Sequence, residues 1–109
     1  MDIKKTISEL EYRLHSYLSE IRYSCLENTP YIIEVGALTV GTDEAGKIIT
    51  QNKLFPTQFS EKGVKTISSM TFKNCNNEIV LPRIYNKQEW YCEKIDQIEF
   101  ALNELKKLI

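Results

Sequence analysis

The sequence predicts an α+β fold in which long N- and C-terminal helices flank a small antiparallel sheet, a hairpin plus one strand, and a short middle helix. The predicted order is α-β-β-α-β-α. Both ends of the chain carry apolar residues at alternating spacings of four and three, which is typical of helices that pack lengthwise. The middle contains runs of β-branched residues separated by turn residues. A length of 109 residues favours a single domain over residues 1–109.

The first predicted helix covers residues 2–27. Its apolar stripe consists of Ile3, Ile7, Leu10, Leu14, Tyr17 and Ile21. We expect it to stop before Pro30, because proline disfavours helical geometry in the residue that precedes it.

Two strands joined by a turn are predicted next. Residues 31–40, "YIIEVGALTV", read as one buried strand, and Gly36 within it indicates a bulge or a close backbone approach. The turn "GTDEAG" then leads to a second strand in "KIITQNKLF". An antiparallel hairpin is the expected pairing.

The middle helix is predicted to begin after Ser60, whose hydroxyl is a suitable N-cap. Phe59 and Val64 match a hydrophobic staple around this cap. The turn "CNNE" precedes a third strand in "EIVLPRIY". Because proline cannot donate to a ladder, Pro82 predicts that this strand lies at an edge or ends near residue 81.

The last predicted helix covers residues 87–109. Its stripe is formed by Tyr91, Ile95, Ile98, Leu102, Leu105 and Ile109. The two terminal helices are expected to pair either with each other, as an antiparallel clasp, or across a dimer. Self-association through these helices is a prediction that light scattering tests.

Composition excludes several classes of protein. Fourteen basic and fifteen acidic residues leave a net charge of −1, which argues against a protein that grips the backbone of a DNA duplex. No apolar run is long enough to span a membrane, and the N-terminus lacks the apolar core of a signal peptide. We therefore expect a cytoplasmic protein whose three cysteines are free thiols.

Residues suited to catalysis are scarce. His15 is the only histidine, and its neighbours Leu14 and Ser16 do not form a nucleophile–base pair. The acidic residues Asp43 and Glu44 occupy a turn and do not make a metal site. No phosphate-binding loop motif is present. The prediction is a protein that is not an enzyme and that needs no metal or cofactor.

Recognition of a ligand is the chemistry that remains. The stretch "LPRIYNKQEWY" contains Arg83, Tyr85, Asn86 and Trp90 where the third strand meets the last helix. A guanidinium suits phosphate, an aromatic face suits a stacked base, and an amide reads polar edges. In the structural alternative, Asn86 is the N-cap of the helix, while Tyr85 and Trp90 belong to the core. Of these residues, Arg83 has the weakest structural explanation.

A second candidate site lies in "KLFPTQFS", just before the middle helix. Phe55 and Phe59 bracket Thr57 and Gln58 at a helix N-terminus, where anions bind readily. The structural alternative is that both phenylalanines anchor the helix. Arg22, on the first helix, is a further candidate for ligand contact.

The junctions "FPTQFSEKGVKTI" and "LPRIYNKQEWY", together with the long terminal helices and central hairpin, resemble those of a phage-encoded anti-defence family. The family is the first type of Thoeris anti-defence sponge. The resemblance implies a homo-oligomer in the host cytoplasm that sequesters a cyclic ADP-ribose isomer made by a TIR-domain enzyme, and some members also hold cyclic oligonucleotides. Sequestration without cleavage agrees with the scarcity of catalytic residues. The alternative is a protein-binding inhibitor of a bacterial defence nuclease, similar to an anti-CRISPR.

Overall fold

The computed structural model describes residues 2–23 and 30–109, with the side chains of residues 22 and 23 left out. Predictions for residues 24–27 and for the Arg22 side chain therefore lie outside the described residues. The elements are α1 (Ile3–Tyr23), β1 (Tyr31–Val35), β2 (Leu38–Thr42), β3 (Ile48–Gln51), α2 (Glu61–Ser68), β4 (Phe72–Lys73), β5 (Ile79–Val80), β6 (Arg83–Asn86) and α3 (Lys87–Lys106). This is the predicted α+β fold.

The described chain divides into two compact units. One consists of α1 and the residues from Gln88 onward, and we call it the helical unit. The other, the sheet unit, is described from residue 30 to Lys87 and holds all the strands together with α2.

Aromatic side chains hold the helical unit together. Tyr17 of α1 meets Trp90 and Tyr91 of α3 edge to face, with ring centroids 5.9 and 5.3 Å apart. The contact joins the later part of α1 to the first turns of α3, as an antiparallel pair requires. Along the predicted stripes the buried positions are Ile7, Tyr17, Tyr91, Ile95, Ile98 and Leu102. The other stripe positions are half-buried, except Ile109, which follows the end of α3 and is 68% exposed. The periodicity therefore predicted the centre of the seam and not its C-terminal end.

The hydroxyl of Tyr17 gives the helical unit a pH dependence. Burial raises the pKa of Tyr17 above its ordinary value of 10.0, and the nearby Arg13 lowers it by less. Because the folded pKa exceeds the unfolded one, the stability from the protonated hydroxyl is present below pH 10 and is lost as the pH rises through the folded pKa.

We therefore expect the free energy of unfolding, measured in urea, to fall above about pH 10, and to fall less steeply in Tyr17→Phe. Tyr12→Phe is the matched control, because Tyr12 is 71% exposed on the same helix. Equal alkaline slopes in Tyr17→Phe and wild type would contradict the assignment.

The sheet unit is built on a four-stranded antiparallel sheet in the order β3-β2-β1-β6. One face of this sheet packs against α2 through Ile33, Val35, Val40 and Ile67. A second, two-stranded sheet formed by β4 and β5 adds Phe72 and Val80 to the same core. This arrangement buries Ile33 and Val35 of β1 on that face.

The prediction of one continuous strand over residues 31–40 is wrong. Gly36 adopts a φ of +64° and Ala37 does not share the positive φ, which is the pattern of a type II′ turn between β1 and β2. Val35 and Leu38 are paired across it. The apolar run therefore folds back on itself, because glycine reaches this conformation without a steric penalty.

Three other local predictions are confirmed. The Ser60 hydroxyl accepts a hydrogen bond from the Gly63 amide and caps α2 at 3.2 Å. "CNNE" lies in the β4–β5 turn. Pro82 separates β5, which ends at Val80, from β6, which lies at the edge of the main sheet. The predicted third strand is thus two short strands in two sheets, because proline cannot continue a ladder.

Candidate functional site

A row of polar side chains crosses the main sheet on the face opposite the α2 core. Arg83 pairs with Glu34, Glu34 with Thr39, and Thr39 with Gln51. Directly paired residues of an antiparallel sheet project from the same face. The four residues, which we call the polar row, therefore line up from β6 at one edge to β3 at the other.

Arg83 is oriented by two hydrogen bonds. Its Nη2 donates to Glu34 Oε2 and to the carbonyl of Gly36, both at 3.2 Å. The Glu34 side chain is only 6% exposed, whereas that of Arg83 is 62% exposed. A buried carboxylate thus holds a guanidinium that still faces solvent. The expectation that Arg83 lacks a structural explanation is wrong, because it compensates a buried charge.

Tyr85 lies next to Arg83 on the same face of β6. The guanidinium carbon stands 5.8 Å from the centroid of the Tyr85 ring, within the range of a cation–π interaction. The sequence placed these two side chains two positions apart, and the strand geometry directs both to one side. They form the part of the predicted ligand site that the structure brings together.

Asn86 and Trp90 have positions consistent with the structural alternative. Asn86 is exposed, ends β6 and immediately precedes α3, where an N-cap residue stands. Trp90 is 2% exposed and packs against Tyr17 and Tyr91 in the helical unit. The indole is therefore not exposed to a ligand base.

Thr57, predicted at the ligand site before α2, lies near Gln51. Gln51 belongs to β3, at the opposite edge of the main sheet from Arg83. A Cβ built on Gly41 would stand 1.8 Å from Gln51 Nε2 and 2.9 Å from Thr57 Oγ1, so these two polar groups lie close together over β2. Gln58 Oε1 is buried and has no hydrogen-bond partner among the described residues. Gln51 Nε2 is likewise buried without a hydrogen-bond partner among the described residues, and Thr57 and Gln58 are half-buried.

The two phenylalanines of this segment differ in exposure. Phe59 packs against the α2 core and pairs with Tyr31 through backbone hydrogen bonds in both directions. It is an anchor, as the structural alternative predicted. Phe55 is 46% exposed, so about half of its ring remains open to solvent.

Sequence reasoning missed Glu34, Thr39 and Gln51. A signal existed for the first, because Glu34 is the single charged residue of the segment 31–40. A lone carboxylate within an apolar strand requires a partner, and the sequence does not show which of the basic residues supplies it. The pairing with Arg83 joins residues 49 positions apart.

The described side chains contain no group of three or more His, Cys, Asp or Glu residues placed to hold a metal ion. His15 is exposed on α1, and both Asp43 and Glu44 are exposed in the β2–β3 turn. Cys75 and Cys92 are exposed free thiols, while Cys25 lies outside the described residues. In the described ranges, no helix has the length and apolar character needed to cross a membrane.

The chemistry available at the Arg83 end of the polar row is donation to an anion next to an aromatic ring. Both described hydrogen bonds of the guanidinium use Nη2, so Nε and Nη1 have no bonded partner within residues 30–87. A guanidinium presents its donors in a fork that matches the oxygens of phosphate or carboxylate.

No protein-family model, curated protein or solved structure matches this chain.

Proposed function

We propose that this protein binds a phosphate-bearing cyclic nucleotide and holds it without cleaving it. The ligand named by the resemblance to Thoeris anti-defence sponges is a cyclic ADP-ribose isomer, with cyclic oligonucleotides as further ligands. In this proposal the protein is encoded by a phage, acts in the cytoplasm of the host and removes a signal of bacterial immunity.

The observation that carries the proposal is that the Arg83 side chain is both exposed and held in a fixed orientation. Its side chain is 62% exposed, yet Glu34 and the Gly36 carbonyl fix the direction of its guanidinium. A cation that is oriented before binding loses less conformational freedom when the ligand arrives. The remaining donors, Nε and Nη1, are the groups that would contact a phosphate.

Enclosure of a small ligand favours an assembly, because tight sites bury most of the ligand surface. Large apolar side chains remain exposed on the helical unit, among them Leu18, Phe100, Leu108 and Ile109. We propose that they contribute to a homo-oligomer formed through the terminal helices. Light scattering that reports a monomer at all concentrations would contradict this part of the proposal.

Calorimetry tests the binding itself. Wild-type protein titrated with the cyclic ADP-ribose isomer should release or absorb heat with a saturable isotherm, and its melting temperature should rise with ligand concentration. Chromatography of the ligand after incubation and denaturation should return it intact. The absence of both heat and a thermal shift would exclude the function, and a cleaved product would exclude sequestration.

A different observation favours a second candidate, an inhibitor that binds a defence nuclease through its surface. Ile79 of β5, Leu81, and Ile84 of β6 are 68%, 79% and 45% exposed, and they lie close together in the chain. Clustered apolar side chains at the surface mark interaction sites. Under this alternative, wild-type protein captures a host nuclease, and Leu81→Asp loses the capture while nucleotide has no effect on it.

A further inference from the structure

A cleft of about 340 Å³ lies in the sheet unit, between the β1–β2 turn and the β4–β5 hairpin. Its volume lies within the range of small-molecule sites, roughly 300–1,000 Å³. Val35 and Leu38 line it from the turn, and Phe72 and Val80 line it from the hairpin. These four side chains give the cleft an apolar lining that includes one aromatic ring.

The cleft and the Arg83 end of the polar row lie on opposite faces of the main sheet, and they share one residue of the β1–β2 turn. Gly36 lines the cleft, and its carbonyl accepts the hydrogen bond from Arg83 Nη2 at 3.2 Å. The guanidinium is therefore anchored on the turn that also borders the cleft. A ligand that contacts Arg83 would reach the apolar space by crossing the turn at Gly36, where a Cβ would meet no atom within 4 Å.

Charge also favours an anionic occupant. Lys73 is the only charged residue that lines the cleft, and no described acidic side chain pairs with it. The cleft thus combines an apolar lining with one uncompensated cation at its edge. This combination suits a molecule with an apolar ring at one end and a phosphate at the other.

Resting on the proposed function, we infer that the cleft receives the base of the cyclic nucleotide, which packs against Phe72, and that Lys73 is a second cation for its phosphates. Phe72 takes the stacking role that the sequence assigned to Trp90. Lys73 then approaches the phosphates from β4, and Arg83 reaches them from β6 across the β1–β2 turn.

Two exposed cysteines provide a test within one molecule. Cys75 lines the cleft, whereas Cys92 lies on α3 in the helical unit. Alkylation by iodoacetamide, followed residue by residue with mass spectrometry of peptides, is measured with and without saturating cyclic ADP-ribose isomer. A seated base should slow alkylation of Cys75 about tenfold and leave the rate at Cys92 unchanged.

The outcomes separate the inference from the proposed function. If calorimetry shows binding while the rate at Cys75 does not change, or while both cysteines slow equally, the cleft is not the site and the function stands. If calorimetry shows no binding, both the inference and the proposed function are contradicted.

Lys73→Ala should also weaken binding of the cyclic nucleotide about three- to tenfold. Lys65 is an exposed lysine of α2, and Lys65→Ala should leave the affinity unchanged. Equal affinities of the two variants would remove Lys73 from the site.

Discussion

Replacement of Tyr91 by alanine should destabilise the protein by about 3–5 kcal/mol, the range for large aromatic side chains removed from a core. Tyr91 is fully buried, and its ring stands 5.3 Å from that of Tyr17 and 5.0 Å from that of Trp90. Its removal deletes two edge-to-face contacts and leaves a cavity between α1 and α3 that these rings cannot fill without leaving their rotamers.

Urea unfolding followed by circular dichroism measures this loss. Tyr12→Ala is the matched control, because Tyr12 is 71% exposed and its removal should change the unfolding free energy by less than about 0.5 kcal/mol. Tyr91→Phe separates the ring from the hydroxyl, and most of the stability should be retained. A Tyr91→Ala variant as stable as Tyr12→Ala would show that the aromatic contacts do not hold the helical unit together.

The second large effect is expected on ligand binding. Arg83→Ala should weaken the affinity for the cyclic ADP-ribose isomer by about 10- to 100-fold, since a hydrogen bond to a charged group contributes about 1.5–3 kcal/mol. The variant removes the oriented guanidinium and its open donors Nε and Nη1. The same calorimetric titration as for wild type measures the change.

Arg83→Ala also removes the Arg83 ion pair from the buried carboxylate of Glu34, so the stability of the variant needs a separate measurement. Arg83→Lys keeps the positive charge but loses the planar fork, and it should recover stability better than affinity. Arg13→Ala, an exposed arginine of the helical unit, is the control and should bind as wild type does. A folded Arg83→Ala variant with wild-type affinity would place the ligand elsewhere.

Local pattern was sufficient for the helices and for the outline of the fold. The spacing of apolar residues predicted the buried face of α3 from Tyr91 to Leu102 and the buried positions Ile7 and Tyr17 of α1, because a helix repeats its faces within the span of a few residues. The cap of α2 was predicted for the same reason, since Ser60 and Gly63 are three positions apart. Each of these predictions depends on neighbours in the chain.

The hairpin shows where local pattern was ambiguous. "YIIEVGALTV" is apolar throughout, and one buried strand or two short strands satisfy the same composition. A glycine within a strand indicates a bulge as readily as a turn. The pairing of Glu34 with Thr39 shows that the run forms two strands, and that pairing depends on the rest of the sheet.

The sequence by itself determined the α+β class, the buried centre of the helical stripes, the cap of α2 and the break at Pro82, since these follow from periodicity and backbone chemistry over a few residues. Only the tertiary structure decided that Arg83 pairs with Glu34 and that Trp90 lies in the core. It alone placed a cleft behind Gly36. The physical reason is that these relations depend on strand pairing and helix packing between residues distant in the chain, which no local pattern encodes.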